Sequence, residues 1–341
     1  MRIDELGEFA LIARLTTGLP SRADVALGVG DDAALLNLSG FAADSLLVAT
    51  CDAQVERQHF TLDVATPEEI GHKALAVNLS DLAAMGAAPL WALVSLLLPR
   101  ALDVATLDGV YAGLRSLAAR YSVALVGGNV AATDGPLAID VTALGRVPRD
   151  RALTRAGGSP GDLVLVTGTL GAAAAGVLLQ GGDARLDAVA GEAKTHARAA
   201  QVSPQPRVAE GQALAGSGVV TAMLDVSDGL AADLGHLCAA SNAGAELDAD
   251  VIPVDPAASE VAAALGRDAL QLALEGGEDY ELLFTVPPAR LEQALAVVAE
   301  AVGIARVIGR LTEPGSGLRI RFADGRIEHL AARGWDHLRP Q

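Results

Sequence analysis

"LAIDVTALGRVPRDRALTRAGGSPGDLVLVTGT", residues 137–169, sets two apolar runs rich in Leu, Val and Ile on either side of a polar span with Gly and Pro. Runs of this kind read as strands, and a span of this composition reads as a connection, so the chain divides near residues 147–161. Working outward, each side has strands and helices of its own. "DSLLVATCD", "WALVSLLLP" and "VALVGGN" precede the division, and "VTAMLDVSD", "YELLFTVP" and "ARVIGRL" follow it. Between them, "PEEIGHKALAVNLSDLAAMG", "LDGVYAGLRSLAARY", "AAAAGVLLQ", "VAEGQALAG", "LAADLGHLCAASN" and "ARLEQALAVVAEAVG" have helical period. The mixture predicts α/β or α+β layers in two domains, residues 1–148 and 149–341.

Composition narrows the function. The 341 residues are 51% hydrophobic and 20% charged, the profile of a globular chain long enough for two cores. A net charge of -17 excludes a general nucleic-acid binder, because no basic run is present to neutralise a row of phosphates. No run approaches the roughly 20 apolar residues of a spanning helix, so no membrane partner is expected. "MRIDELGEFALIARL" lacks the pattern of a signal peptide, and a cytoplasmic protein is expected. Cys51 and Cys238 are far apart and lack metal spacing, which predicts neither a disulfide nor a zinc site.

Acidic residues cluster beside predicted strand ends and helix starts: Asp31-Asp32, Asp52, Asp81 in "NLSDL", Asp225 and Asp228 in "LDVSDG", and Glu278-Asp279 in "GGEDYELLF". Taken singly, Asp81 or Asp228 reads as a helix N-cap. Five clusters with few basic neighbours instead predict divalent cations, since Mg²⁺ takes one or two carboxylates plus phosphate oxygens and water. Gly28, Gly30, Gly127, Gly128, Gly276 and Gly277 would let the backbone approach a polyphosphate. The Walker-type phosphate loop is absent and "VTGTLGAAAAG" is only a degenerate dinucleotide fingerprint. "AVNLSDLAAMG" and "MLDVSDGLAADLG" also echo each other, a hint of two related modules.

Seven stretches together resemble the thiamine-monophosphate kinases: "GEFALIARL", "GVGDDAALL", "HKALAVNLSDLAAMGAAP", "RALTRAGGSPGDLVLVTGTLG", "LDVSDGLAADLGH", "GGEDYELLFTVP" and "GWDHL". The resemblance runs from residue 7 to residue 338 and extends to the superfamily of aminoimidazole ribonucleotide synthetase. It implies a two-domain aminoimidazole ribonucleotide synthetase-like fold, a homodimer joined through the N-terminal sheets, and ATP with several Mg²⁺ in a cleft between domains. It also implies direct in-line transfer of the ATP γ-phosphoryl group to thiamine monophosphate, giving thiamine diphosphate. By resemblance, Asp32, Thr50, Cys51, Asp52, Asp81, Asp225 and Asp228 fall at metal positions, with Asp31 assisting. Gly128, Asn129, Arg155 and Ser227 fall at ATP positions, and His59, Glu278 and Trp335 lie around the thiamine moiety, where Trp335 would stack on the cationic ring.

The chain departs from the family pattern at three places. Gly-Gly-Asp reads Gly127-Gly128-Asn129, Thr-Asp reads Cys51-Asp52, and Arg-Pro-x-Pro-Arg reads Ser203-Pro204-Gln205-Pro206-Arg207. The first two fall on one metal, where an amide oxygen and a soft sulfur replace harder donors. Asp134, in the lengthened "NVAATDGP", is a candidate substitute ligand. Two alternatives follow from the altered metal position: a superfamily enzyme with another small acceptor, or a non-catalytic binder of thiamine phosphates.

Overall fold

The computed structural model describes residue 2 and residues 8–20, 22–27, 29 and 34–334. It divides into two compact units, Met1–Leu82 with Ala87–Asp150, and Ala83–Gly86 with Arg151–Gln341. Asp31, Asp32 and Trp335 lie outside the described residues.

The first unit begins with α1 (Glu8–Thr16) and a small hairpin, β1 (Val25–Leu27) with β2 (Leu35–Leu36). Its main sheet has the order β3-β6-β4-β5, from β3 (Ser45–Val55), β4 (Ala88–Pro99), β5 (Ala124–Thr133) and β6 (Ala138–Pro148). β6 pairs antiparallel with β3 and β4, whereas β4 and β5 are parallel. The parallel pair is joined by α3 (Val104–Arg120), and α2 (Pro67–Ala84) joins β3 to β4.

Local sequence explains why α2 starts where it does. The Thr66 hydroxyl accepts the Glu69 N–H at 3.3 Å, and Glu69 accepts the Thr66 N–H at 2.8 Å, a reciprocal cap directly before Pro67. Where α2 meets α3, a Cβ on Gly113 would lie 1.9 Å from the Glu68 carbonyl oxygen, so glycine permits the backbones to touch. Strand alternation then sorts the sheet into two faces. Val94, Leu96, Ile139, Val141 and Ala143 are buried, while Leu47 and Leu97 on the other face remain 52% and 45% exposed. Near Trp91 that second face is covered by Phe41 and residues of the β1–β2 hairpin.

The second unit is built on a seven-stranded sheet of order β13-β12-β9-β11-β7-β10-β8. Its strands are β7 (Leu163–Thr167), β8 (Ala222–Asp225), β9 (Gly244–Asp248), β10 (Leu282–Val286), β11 (Ala305–Thr312), β12 (Leu318–Arg321) and β13 (Ile327–His329). Only the β9–β12 pair is parallel. Val164, Leu224, Leu283 and Ile308 from the sheet bury against Leu234 and Leu237 of α7 (Leu230–Ser241). A second core of small residues joins α4 (Ala172–Leu179), α5 (Gly191–Val202) and α8 (Pro256–Leu265). There a Cβ on Gly176 would meet the Ala197 carbonyl at 2.4 Å. The remaining helices are α6 (Val208–Ser217), α9 (Ala269–Glu275) and α10 (Leu291–Glu300). Among the described residues, no helix is long and apolar enough to cross a membrane.

Two local expectations do not hold. Asp81 lies in the last turn of α2 rather than at a helix start, whereas Ser227-Asp228 lies in the turn between β8 and α7. The two Ser-Asp stretches therefore occupy different places relative to their helices. Asp52 lies within β3, not after it.

Candidate functional site

In the first unit, α2 and β3 bring two predicted metal positions together: the Thr50 hydroxyl donates to the Asp81 carboxylate at 2.5 Å. Asp52 lies two residues along β3 and shares that face of the sheet. Cys51 points the other way. Its thiol donates to Asp140 at 3.0 Å and accepts from the Thr142 hydroxyl at 3.4 Å. The hydrogen bond to the Asp140 carboxylate is the main cause of a thiol pKa raised above its ordinary value.

The register places Asp140, Ser95 and Asn129 in one row across β6, β4 and β5. Paired residues share a face, so Asn129 joins Cys51 on the side opposite Thr50 and Asp81. Two of the three departures, those that fall on one metal position, are thus on the same face, which is not that of the Thr50–Asp81 pair. Beside Asn129, Gly128 has no room for a side chain, since a Cβ would lie 1.8 Å from the Val94 carbonyl oxygen.

Asp134 does not reach this region. β5 runs unbroken to Thr133, and five residues at roughly 3.3 Å each place Asp134 roughly 16 Å along the strand from Asn129. His59 closes the turn after β3: its Nδ1 accepts the Val55 N–H at 3.0 Å, which assigns the ring proton of the neutral form to Nε2. Its carbonyl accepts from the buried Lys73 ammonium at 3.3 Å.

In the second unit, Asp225 ends β8 and is 4% exposed. The turn that follows is fixed by Asp233, whose Oδ2 accepts the N–H groups of Ser227, Asp228 and Gly229 at 3.0, 3.0 and 3.1 Å. Asp233 was not singled out from sequence, although an acid in the first turn of a helix after Ser-Asp-Gly is a capping signal. The "GGEDYE" loop lies against this turn: the Glu278 N–H donates to the Ser227 carbonyl at 2.8 Å and the Tyr280 N–H to that of Val226 at 2.8 Å. Glu278 sits at φ 71°, a conformation costly for a side-chain-bearing residue. Gly277 permits the approach, since a Cβ there would lie 2.6 Å from the Ser227 carbonyl oxygen. Asp225, Ser227, Asp228 and Glu278 are therefore adjacent, and Gly334 also packs on the Asp228 carbonyl.

Three acids, of which Glu281 and Asp255 are buried, tie this loop and its surroundings to neighbouring elements. Asp279 accepts the Gly171 N–H at 2.8 Å, and burial pushes its carboxyl well above the ordinary range, with Glu281 and Asp255 adding repulsion. Glu281 is held by Arg207 through two bonds of 2.7 and 2.5 Å and by the Thr167 hydroxyl at 2.6 Å. Asp255 accepts from Thr169 at 2.7 Å and caps α8 through the Ala257 N–H at 2.8 Å.

Arg155 lies elsewhere in this unit. Its carbonyl accepts from Ser241 at the end of α7, whereas Ser227 and Asp228 precede the start of that 12-residue helix. At 1.5 Å per residue the separation is about 18 Å.

These donors suit a hard cation. Among the described residues no group of three His, Cys, Asp or Glu side chains is placed to cage a metal. Mg²⁺ needs no such cage, because phosphate and water complete its shell beyond one or two carboxylates. Thr50 with Asp81, and Asp225 with Asp228, offer that kind of oxygen set.

The chain matches the family models described as AIR synthase related protein, N-terminal domain, over residues 30–147, and C-terminal domain, over residues 159–321. It is 42% identical to the thiamine-monophosphate kinase of Escherichia coli (strain K12), across 97% of this chain and 98% of that protein. The crystal structure of thiamine-monophosphate kinase from Stenotrophomonas maltophilia K279a superposes with a TM-score of 0.81 at 40% identity, covering 96% of this chain and 98% of that one. A structure of AaThiL complexed with AMPPCP and TMP superposes with a TM-score of 0.75 at 31% identity, covering 99% of each chain. With both domains matched in order and relatives aligned almost end to end, the chain belongs to the thiamine-monophosphate kinase family of AIR synthase related proteins.

Proposed function

We propose that this chain transfers the γ-phosphoryl group of ATP to the phosphate of thiamine monophosphate. An acceptor phosphate oxygen forms the new P–O bond as the bond to the β–γ bridging oxygen breaks, yielding thiamine diphosphate and ADP. The observation that carries the reading is the Ser227–Gly229 turn, locked by Asp233 and lying against Glu278. It occurs in a chain 42% identical to a thiamine-monophosphate kinase over nearly its full length. The solved relative holding AMPPCP and TMP supports ATP as the donor.

The chemistry requires positioning and charge neutralisation more than a base. A phosphate monoester has its second pKa near 6, so the nucleophile is already largely dianionic at pH 7. No side chain is therefore assigned to deprotonate it. Bound Mg²⁺ would neutralise the phosphate charge; Asp81, Thr50 and Asp52 would supply one oxygen set and Asp225 and Asp228 a separate one. Asp32 and Cys51 are carried to metal positions by the family resemblance alone. Gly128, Asn129, Arg155 and Ser227 contact nucleotide in this reading, and His59, Glu278 and Trp335 surround the thiamine moiety. The partly uncovered sheet face carrying Leu47 and Leu97 supports a homodimer, since a second copy would remove apolar surface from water.

Neither Asn129 nor Cys51 touches the Thr50–Asp81 pair, which favours kinase activity over a binder that has lost it. The test is transfer of label from γ-labelled ATP to thiamine monophosphate. Label is expected in thiamine diphosphate with the unmodified chain and reduced by at least about 100-fold in Asp228→Asn. Release of labelled inorganic phosphate without labelled thiamine diphosphate would overturn the assignment.

A further inference from the structure

Both neighbours of Asp279 hold left-handed backbone, Glu278 at φ 71° and Tyr280 at φ 51°. Side-chain-bearing residues rarely adopt that region, and for one as bulky as tyrosine it persists only where the surroundings enforce it. Two backbone bonds supply part of the restraint. The N–H groups of Glu278 and Tyr280 donate to Ser227 and Val226, in the segment that follows β8. The residue between them is held from another side.

That second anchor is the start of α4. The helix begins after Gly171, which sits at φ 90° and has no side chain with which to cap it. Asp279, 108 residues further along the chain, supplies the missing acceptor. Its Oδ2 accepts the Gly171 N–H at 2.8 Å, and the Ala173 backbone is hydrogen-bonded to the same side chain. The loop also packs closely on this helix, since a Cβ on Gly276 would lie 2.6 Å from that of Ala174. The Asp279 side chain thus pins the loop to α4 while its neighbours' N–H groups pin it to the acidic turn. Together the two anchors set the backbone direction of Glu278.

We propose that Asp279 is a positioning residue for the acceptor, a long-range helix cap that holds the left-handed pair and so aims Glu278 at thiamine monophosphate. The inference rests on the kinase reading, in which Glu278 belongs to the acceptor side, and adds to it a residue that does not itself touch substrate.

Asp279→Leu removes the cap at similar volume, and Asp279→Ser, with a shorter side chain, gives a second variant should leucine not fold. Steady-state kinetics of the full chain would vary thiamine monophosphate and Mg-ATP in turn. We expect a folded variant of either kind to raise the KM for thiamine monophosphate by at least about tenfold and that for Mg-ATP by less than about twofold. Asp279→Asn keeps an oxygen acceptor and should recover most of the loss. The deciding readout is a double-mutant cycle with Glu278→Ala. If Asp279 acts through Glu278, replacing it changes the acceptor KM by less than about twofold once the Glu278 side chain is gone. Equal rises for both substrates, no rise in a folded variant, an asparagine variant as impaired as leucine, or full additivity in the cycle would each overturn the proposal. An unmodified chain that forms no thiamine diphosphate would overturn the kinase reading itself, and the proposal with it.

Discussion

Replacing Asp233 with alanine tests how the second unit builds its acidic turn. One carboxylate oxygen, on a residue that is 3% exposed, accepts three successive backbone N–H groups at 3.0–3.1 Å. Burial pushes the Asp233 carboxyl up to about 7, so above that pH it accepts as a carboxylate with bonds of about 1.5–3 kcal/mol each, and a buried donor left unpaired costs about 1–3 kcal/mol. Water entering the vacated space recovers part of this, and one carboxylate cannot give three full-strength bonds, so we expect Asp233→Ala to cost about 3–5 kcal/mol. Asp233→Asn retains an oxygen acceptor at the same place and is expected to cost about 1–2 kcal/mol, mainly the charge assistance.

The assay is urea unfolding of the full chain followed by two probes, because two units need not unfold as one. Activity should follow the same order, with the alanine variant needing more Mg²⁺, since the turn that presents Asp228 is no longer held. If alanine unfolds at the same urea concentration as the unmodified chain, Asp233 does not fix the turn and the reasoning fails. Equal losses in the alanine and asparagine variants would show that charge matters rather than the acceptor geometry.

Three further predictions follow from other parts of the molecule. Val302 is 93% exposed at φ 64° just after α10; Val302→Gly relieves about 1–2 kcal/mol of left-handed strain against about 0.5–1 kcal/mol of chain entropy. The melting temperature should therefore rise slightly, and a fall would refute this. Asp134→Ala should leave the kinase rate within about twofold, because β5 carries that residue too far from Asn129; a large loss would contradict the strand geometry. The Asp279 carboxyl is raised by burial, so from the unfolded value near 4 up to the folded one the native chain holds the extra proton. Its contribution to stability then declines as pH rises through that window. Asp279→Asn should flatten the decline in a pH series of urea midpoints, and a series that stays as steep would remove the assignment.

Much of the fold was legible because strong local signals agreed with the tertiary environment. The helical period of "PEEIGHKALAVNLSDLAAMG" gave α2, and the long apolar runs gave β3, β4 and β6. The polar span between β6 and β7 lies where the two compact units divide. β9, "GAELD", and β13, "IEH", were not legible: they are short and polar, and pairing with neighbouring strands rather than local preference makes them strands. α5 escaped notice because its sequence is largely polar outside the Ala193 and Ala197 stripe that it buries.

For the candidate site, residue type was more legible than direction. The grouping of Asp225, Ser227, Asp228 and Glu278 depends on the "GGEDYE" loop folding back along β8, which the paired glycines anticipate only in part. Asp140 was missed because its bond to Cys51 crosses two strands, and only the β3–β6 register reveals it. Arg155 and Ser227 both fall at nucleotide positions by resemblance, and only the structure shows that the Arg155 carbonyl meets the far end of α7 from the Ser227 turn. Side chains one residue apart on β3, Thr50 and Cys51, face opposite ways because the strand period is two.

The measurement that bears most directly on the central claim is the amount of thiamine diphosphate formed from thiamine monophosphate and Mg-ATP by the chain as it stands, beside Asn129→Asp. The account predicts product from the unmodified chain in amounts equal to the ADP released, with the aspartate variant changing the rate but not the products. ADP released without thiamine diphosphate, or product only after the aspartate is introduced, would contradict it.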